Sequence, residues 1–192
     1  MTEQELIIQL RQKDEEAFNG LFHQYSGMVL NTALGLIQNH EEAEDVVQEV
    51  FIEVLRSIEG FEGKSSLKTW LYRLTISKSL DHLRARKRQK RGGLFTFISF
   101  QNDQSWMHQP DFNHPGVQLE NKQRAAVLFK AINQLAENQK IAFTLSKLEQ
   151  RSQSEIAEIM GCSVGAVESL LQRAKQRLQK LLREYYVQDQ RN

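Results

Sequence analysis

The stretch RSQSEIAEIMGCSVGAVESLLQRAKQRL, Arg151–Leu178, holds two short helical patterns joined by a glycine. Ser152 followed by Glu155 is a capping box, in which each residue satisfies a free amide of the other's turn. Gly161 stops that helix at a place where the chain needs a positive φ. Ser163 is positioned to cap the next helix. Ala157 is small enough to let two helices cross closely. Val167, Leu170 and Leu171 follow it at offsets of ten, thirteen and fourteen, the apolar positions of a helix-turn-helix. Arg173, Lys175 and Arg177 then supply cations suited to phosphate. A helical hairpin with a merely solvated basic face would show the same spacing, so the pattern alone leaves both readings open.

Outward from this stretch, most of the chain keeps a helical period. Asn39 and Glu42 mark a helix start, and Ala43, Val46, Val47, Val50, Phe51, Val54, Leu55 and Ile58 repeat along one face. Glu42, Asp45, Glu49, Glu53 and Arg56 form the opposite stripe, which Ile52 interrupts. Upstream, Phe18, Leu21, Phe22, Tyr25, Met28 and Val29 repeat likewise. Gly60 and Gly63 break the pattern. Ser65 or Ser66 then caps a helix with two apolar sides, Leu67, Trp70, Leu71 and Leu74 on one and Ile76, Leu80 and Leu83 on another. Such a helix is either buried on two faces or bent. Residues 92–120 contain both prolines and three of the ten glycines, and they read as a linker, although LFTFISF, Trp106 and Phe112 make it an apolar one. Helices resume with Leu128, Ala131, Ile132 and Leu135, then Ile141, Leu145 and Leu148. The expected fold is all-α: two small helical domains, 1–91 and 121–192, joined by a flexible linker over 92–120, with the helix-turn-helix in the second.

Composition narrows the function. The 192 residues are 40% hydrophobic and 26% charged, as expected of a folded globular protein. MTEQELIIQL lacks the basic start of a signal peptide, and no apolar run approaches the length of a membrane span, so a cytoplasmic protein without membrane insertion is expected. One cysteine, Cys162, and five scattered histidines form no metal motif, and no metal or cofactor is expected. No nucleophile–base pair or phosphate loop suggests an enzyme.

Net charge is +1, but its distribution is segmental. Residues 1–62 carry 13 acids and 3 bases, whereas residues 63–91 carry 10 bases and 1 acid. Residues 92–120 have 3 acids and no Lys or Arg, and residues 121–192 have 12 bases and 7 acids. The basic segments suit phosphates, and the acidic one suits a protein surface or solvent. Phe61, Trp70 and Tyr72 lie just upstream of LRARKRQKR, Leu83–Arg91. Aromatics beside cations suit unpaired bases, and Trp70 fits a core position equally well.

NHEEAEDVVQEVFIEVLRSIEGFEGKSSLKTWLYRLTISKSLDHLRARKR resembles region 2 of extracytoplasmic-function (ECF) sigma factors. INQLAENQKIAFTLSKLEQRSQSEIAEIMGCSVGAVESLLQRAKQRL resembles their region 4. The resemblance covers roughly 5–90 and 122–183, in the family's order. It implies a nonenzymatic subunit that binds core RNA polymerase and promoter DNA, with an anti-sigma factor as a further partner. It also implies a polymerase contact through Asp45, Gln48, Glu49 and Ile52. For the minus-ten element it implies Phe61, Lys64, Ser65, Trp70, Arg73, Ser77, Lys78, Arg84, Arg86 and Arg88. For the minus-thirty-five element it implies Ser163, Gly165, Ala166, Glu168, Ser169, Gln172, Arg173 and Lys175. The chain departs from the family's commonest residues at Ser77 (often Asn), Ala136 (usually Pro), and Ala166, Glu168 and Leu170 (often Thr, Lys and Arg). Glu168 has two readings: a salt bridge to Lys147 or Arg151, or a hydrogen-bond acceptor for cytosine in the major groove. Two rivals remain at this stage, a stand-alone helix-turn-helix regulator and a helical protein adaptor.

Overall fold

The computed structural model describes residues 2–92 and 122–189, and all regular structure among them is helical. The expected linker lies outside the described residues except for Gly92, which ends a helix. The elements are α1 (Glu3–Arg11), α2 (Glu15–Ile37), α3 (His40–Ser57), a 3-10 turn (Ile58–Gly60), α4 (Leu67–Gly92), α5 (Lys122–Ile132), α6 (Glu137–Lys147), α7 (Gln153–Met160) and α8 (Val164–Asp189).

Local chemistry sets the boundaries. Asn39 accepts the Glu42 amide at 2.9 Å and starts α3. Of the two candidate serines, Ser66 caps α4, accepting the Thr69 amide at 3.1 Å. Both halves of the Ser152–Glu155 capping box are present at α7. One helix, α1, was not among the sequence expectations, although Thr2 and Glu5 form a capping box at its start. It buries Leu6 and Leu10 in the first domain. From α1, Arg11 donates to the carbonyls of Ile58 and Phe61, and Glu3 accepts the Leu67 amide. The connection between α3 and α4 is therefore clamped at both ends.

Helices α1–α4 enclose one core, built around Leu21, Val29, Val46, Val50, Phe51, Val54, Leu67 and Leu71. A second core is shared. Leu36 and Tyr72 from the first domain pack with Ile141, Leu145, Ile156, Ile159 and Val167 of the second, and Ile76 and Leu80 lie against it. A third, smaller cluster joins α5 to α8 through Phe129, Ile132, Ala174 and Leu178. Of the two possibilities for α4, burial on two faces is the one observed. Leu67, Leu71 and Leu83 face the first core, and Tyr72, Ile76 and Leu80 face the second domain.

Polar groups seal this interface. Tyr72 donates from its hydroxyl to Glu149 at 3.1 Å. Burial raises the pKa of both groups, so the phenol stays a donor. Gln38 holds a left-handed backbone at the end of α2, and its amide donates to the Phe129 carbonyl at 3.1 Å. Asn133 donates to the Gln38 side-chain oxygen. Lys140, buried, donates to the Leu36 carbonyl and to Asn133 Oδ1. Gly35 permits the approach: a Cβ there would lie 2.6 Å from Thr144 Cγ2 and 2.8 Å from Leu148 Cδ1.

Desolvation, with Arg86 and Lys87 of α4 nearby, lowers the pKa of Lys140 from 10.5 to about 8. The packed form therefore binds fewer protons than an open form between these values. Packing should strengthen as pH rises through that window, and below it the contribution of this lysine should no longer change with pH. The slope from this one group approaches about 1.4 kcal/mol per pH unit. Amide exchange across α6 between pH 7 and pH 10 measures it, and Lys140→Gln should remove that contribution.

Candidate nucleic-acid and protein interfaces

The helix-turn-helix geometry follows from its turn. Gly161 adopts φ 64°, and the Cys162 amide donates back to the Ala157 carbonyl at 3.0 Å, closing α7. Ser163 accepts the Ala166 amide at 3.2 Å and starts α8. Ala157 and Val167 are buried at the crossing, with Leu170 and Leu171 half-buried beside them, and Ala174 is buried one turn on, in the cluster with α5. This orientation exposes Ser163, Gly165, Glu168, Gln172, Arg173 and Lys175, and leaves Ala166 and Ser169 half-exposed. The Ser169 hydroxyl is already donated to the Gly165 carbonyl at 2.9 Å. An open groove of about 380 Å³ runs between this surface and the start of α6, lined by Asn138, Cys162, Ala166, Ser169 and Arg173 among others. Asn138 was not among the sequence candidates. Its place at the start of a separate helix hides it from a motif search within α7 and α8.

Neither candidate salt bridge for Glu168 is present. Arg151 pairs with Glu155 at 3.0 Å and donates to the Glu149 carbonyl. Glu168 is exposed and has no ion-pair partner among the described residues. Its carboxylate faces solvent on the surface that presents Gln172 and Arg173.

On α3 the structure divides the acidic stripe in two. Glu42 accepts from Arg86 at 3.1 Å and lies 3.5 Å from His82, while Glu53 pairs with Lys78 at 3.2 Å. These two carboxylates fasten α3 to α4. Asp45, Gln48 and Glu49 remain exposed, and Ile52 is 48% exposed in line with them. Leu55, expected in the core, is instead 42% exposed, and Phe22 is 39% exposed beside Phe51. Apolar repetition places Leu55 on the helix's apolar stripe but does not show where the stripe outruns its cover. The useful signal was its place three residues after Ile52, since both then share one helix edge.

The α4 candidates fall into separate environments. Phe61 is buried and packs on the half-buried Trp70, with ring centroids 4.8 Å apart and planes at 35°. Tyr72, grouped with them in the sequence as a stacking aromatic, is 2% exposed and turned to the other domain. Arg73 donates to the carbonyls of Glu158 (2.6 Å) and Ile159 (3.2 Å), at the end of α7. Arg84 pairs with Glu137 of α6 at 3.1 Å and with Asp81 at 3.5 Å. Lys64 pairs with Glu62, Ser65 is half-buried, and Ser77 and Arg88 are exposed. Among the described residues there is no metal-binding cluster and no helix long and apolar enough to cross a membrane.

Because Glu168 has no pair to lose, Glu168→Gln should leave the thermal midpoint of the protein within about 1 °C of wild type, as surface changes away from structural features do. Scanning calorimetry at neutral pH checks this.

Family comparison matches residues 21–89 to Sigma-70 region 2 and residues 125–178 to Sigma-70 region 4. The chain is 34% identical to the ECF RNA polymerase sigma-E factor of Haemophilus influenzae, over 93% of this chain and 94% of that protein. It is 31% identical to the RNA polymerase sigma-H factor of Pseudomonas aeruginosa, over 94% and 93% of the two chains. Among solved structures, the sigma factor RpoE in complex with the anti-sigma factor NepR from Bartonella quintana superposes with TM-score 0.62 at 26% identity, covering 86% of this chain and 96% of that one. CnrH in complex with the cytosolic domain of CnrY shares the fold, with TM-score 0.66 at 21% identity over 95% and 97% of the chains.

Proposed function

This chain belongs to the ECF sigma factors, and from that premise we propose that it binds core RNA polymerase, recognises promoter DNA and helps to melt it so that transcription starts. Residues 1–91 act as the polymerase- and minus-ten-binding domain, 92–120 as the linker, and 121–192 as the minus-thirty-five-binding domain. The protein works in the cytoplasm as an initiation subunit rather than as an enzyme. The observation that carries this reading is the ordered pair of region 2 and region 4 matches, on a chain that presents an exposed helix-turn-helix surface and an unspent acidic stripe. A stand-alone regulator would have no use for that stripe. Run-off transcription with purified core polymerase and a cognate promoter tests the proposal: specific initiation only when the chain is added supports it. Duplex binding without polymerase and no initiation would favour the stand-alone regulator. The anti-sigma complex of the Bartonella relative supports a regulatory partner of the same class here.

The polymerase contact centres on Asp45, Gln48, Glu49 and Ile52, and we extend it to Leu55 and Phe22. An apolar centre within a carboxylate rim suits a partner helix bearing apolar and basic side chains. Glu49→Lys with Ile52→Asp should retain helicity by circular dichroism and weaken polymerase binding by about 100-fold, the scale of one or two buried contacts. Unchanged affinity would exclude this face from the contact.

On DNA, the recognition helix reads duplex through Ser163, Gly165, Ala166, Glu168, Ser169, Gln172, Arg173 and Lys175. Glu168 accepts a hydrogen bond from a cytosine amino group, and Arg173 and Lys175 offset its charge against phosphate. Phe61, Lys64, Ser65, Trp70, Arg73, Ser77, Lys78, Arg84, Arg86 and Arg88 serve the minus-ten element. Glu168→Gln should relax preference at one minus-thirty-five base pair by roughly 5- to 150-fold, equivalent to about 1–3 kcal/mol. A panel of single-base promoter variants assayed with both proteins reads the change, and identical rankings would remove Glu168 from base recognition.

A further inference from the structure

Residues 61–66 connect the 3-10 turn to α4, and they include Phe61, Lys64 and Ser65 of the minus-ten set. This connection has little structure of its own. Among the described residues, 62–65 make no backbone-to-backbone hydrogen bond, Gly63 holds a positive φ of 70°, and the Lys64–Glu62 pair is exposed. The connection is held at its two ends instead, and the holding element is α1. Arg11 spans the 3-10 turn: its Nη2 donates to the Phe61 carbonyl at 2.7 Å and its Nε to the Ile58 carbonyl at 3.4 Å. Glu3 accepts the Leu67 amide, the first of α4, at 3.1 Å, while Ser66 accepts that of Thr69. Leu6 and Leu10 anchor α1 in the first core. The Phe61 ring packs on Trp70, so fixing the Phe61 backbone also fixes what supports Trp70. Helix α1 precedes the region 2 match, which begins at residue 21, and carries none of the residues assigned to polymerase or DNA.

We propose that α1 is a positioning element for minus-ten recognition, in which Arg11 and Glu3 hold the two ends of 61–67 in the geometry that presents Phe61, Lys64, Ser65 and Trp70 to DNA. This rests on the assignment of those four residues to the minus-ten element. The physical basis is preorganisation: a segment ordered beforehand has less conformational freedom to lose when DNA arrives. A guanidinium suits the task, because its planar fork reaches two carbonyls at once, whereas a lysine ammonium is a point charge on a flexible stem. Both α1 side chains bond backbone groups, which leaves the side chains of the segment uncommitted to α1.

The test uses the full chain with core polymerase and a promoter randomised over its minus-ten element, with the templates that yield run-off product sequenced. Arg11→Lys keeps the charge but cannot span two carbonyls. Glu3→Ala removes the acceptor for Leu67, and Glu3→Gln keeps one. Arg11→Lys and Glu3→Ala should each flatten base preference within the minus-ten element by about 10-fold, the scale of one hydrogen bond to a charged group. Glu3→Gln should restore most of it. Affinity for core polymerase and preference at the minus-thirty-five element should match wild type. A purely structural loss would lower run-off from every template by one factor and leave the ranking intact, and that result in either variant overturns the proposal. Trp106→Phe leaves Trp70 as the one tryptophan. In that background Arg11→Lys should shift Trp70 emission to the red, and an unshifted emission also overturns the proposal. Glu3 is exposed at a helix start, so Glu3→Ala decides alone if Arg11→Lys fails to fold. A wild type that initiates without any minus-ten preference, or does not initiate, defeats the functional reading and this proposal with it. A wild-type preference that the variants share defeats the proposal alone.

Discussion

The structure depends on α4 being buried on two sides. One face, Leu67, Leu71 and Leu83, completes the core of the first domain, and the other, Tyr72, Ile76 and Leu80, is covered by the second. Fully burying a leucine or comparable side chain contributes about 1.5–3 kcal/mol. The same helix carries the densest run of cations in the chain. Its apolar faces therefore set where those cations point, and packing against the second domain takes up part of the surface that carries them.

Charge is allocated in the same economical way. The first 62 residues have ten more acids than bases, yet the excess is not one uniform field. Glu42 and Glu53 are turned inward to Arg86 and Lys78 and hold α3 against α4. Asp45 and Glu49 stay outward on the same helix as the exposed Ile52 and Leu55. Exposed ion pairs contribute little to stability, with a median of about 0–1 kcal/mol. Their effect here is on availability: Lys78 and Arg86 are held in ion pairs, whereas Arg88 is open to solvent. The recognition helix shows the opposite arrangement. Glu168 sits among solvent-facing polar groups with no partner among the described residues.

Much of this was legible from sequence because it is local. Capping by Asn39 and Ser152, the left-handed Gly161 and the apolar offsets after Ala157 each involve residues within about four turns of one another, where helical geometry alone decides what meets. The helix-turn-helix surface follows directly, since burying Val167 and Ala174 forces Glu168, Gln172 and Arg173 outward. The start of α1 was equally local, in Thr2 and Glu5, and was passed over because the segment is short and weakly patterned.

By itself, then, the sequence determined the helices, the two-domain order, the helix-turn-helix and the segmental charge, because backbone capping and side-chain period act between near neighbours. Tertiary structure alone decided which face of each helix found a partner. It exposed Leu55, buried Tyr72, divided the α3 carboxylates and engaged Arg73 and Arg84 across the domain interface. It also placed Lys140 over the end of α2, 104 residues away in the chain. The physical reason is that burial and ion pairing are set by distance in space, and a periodic pattern specifies a helix's apolar side without specifying what covers it.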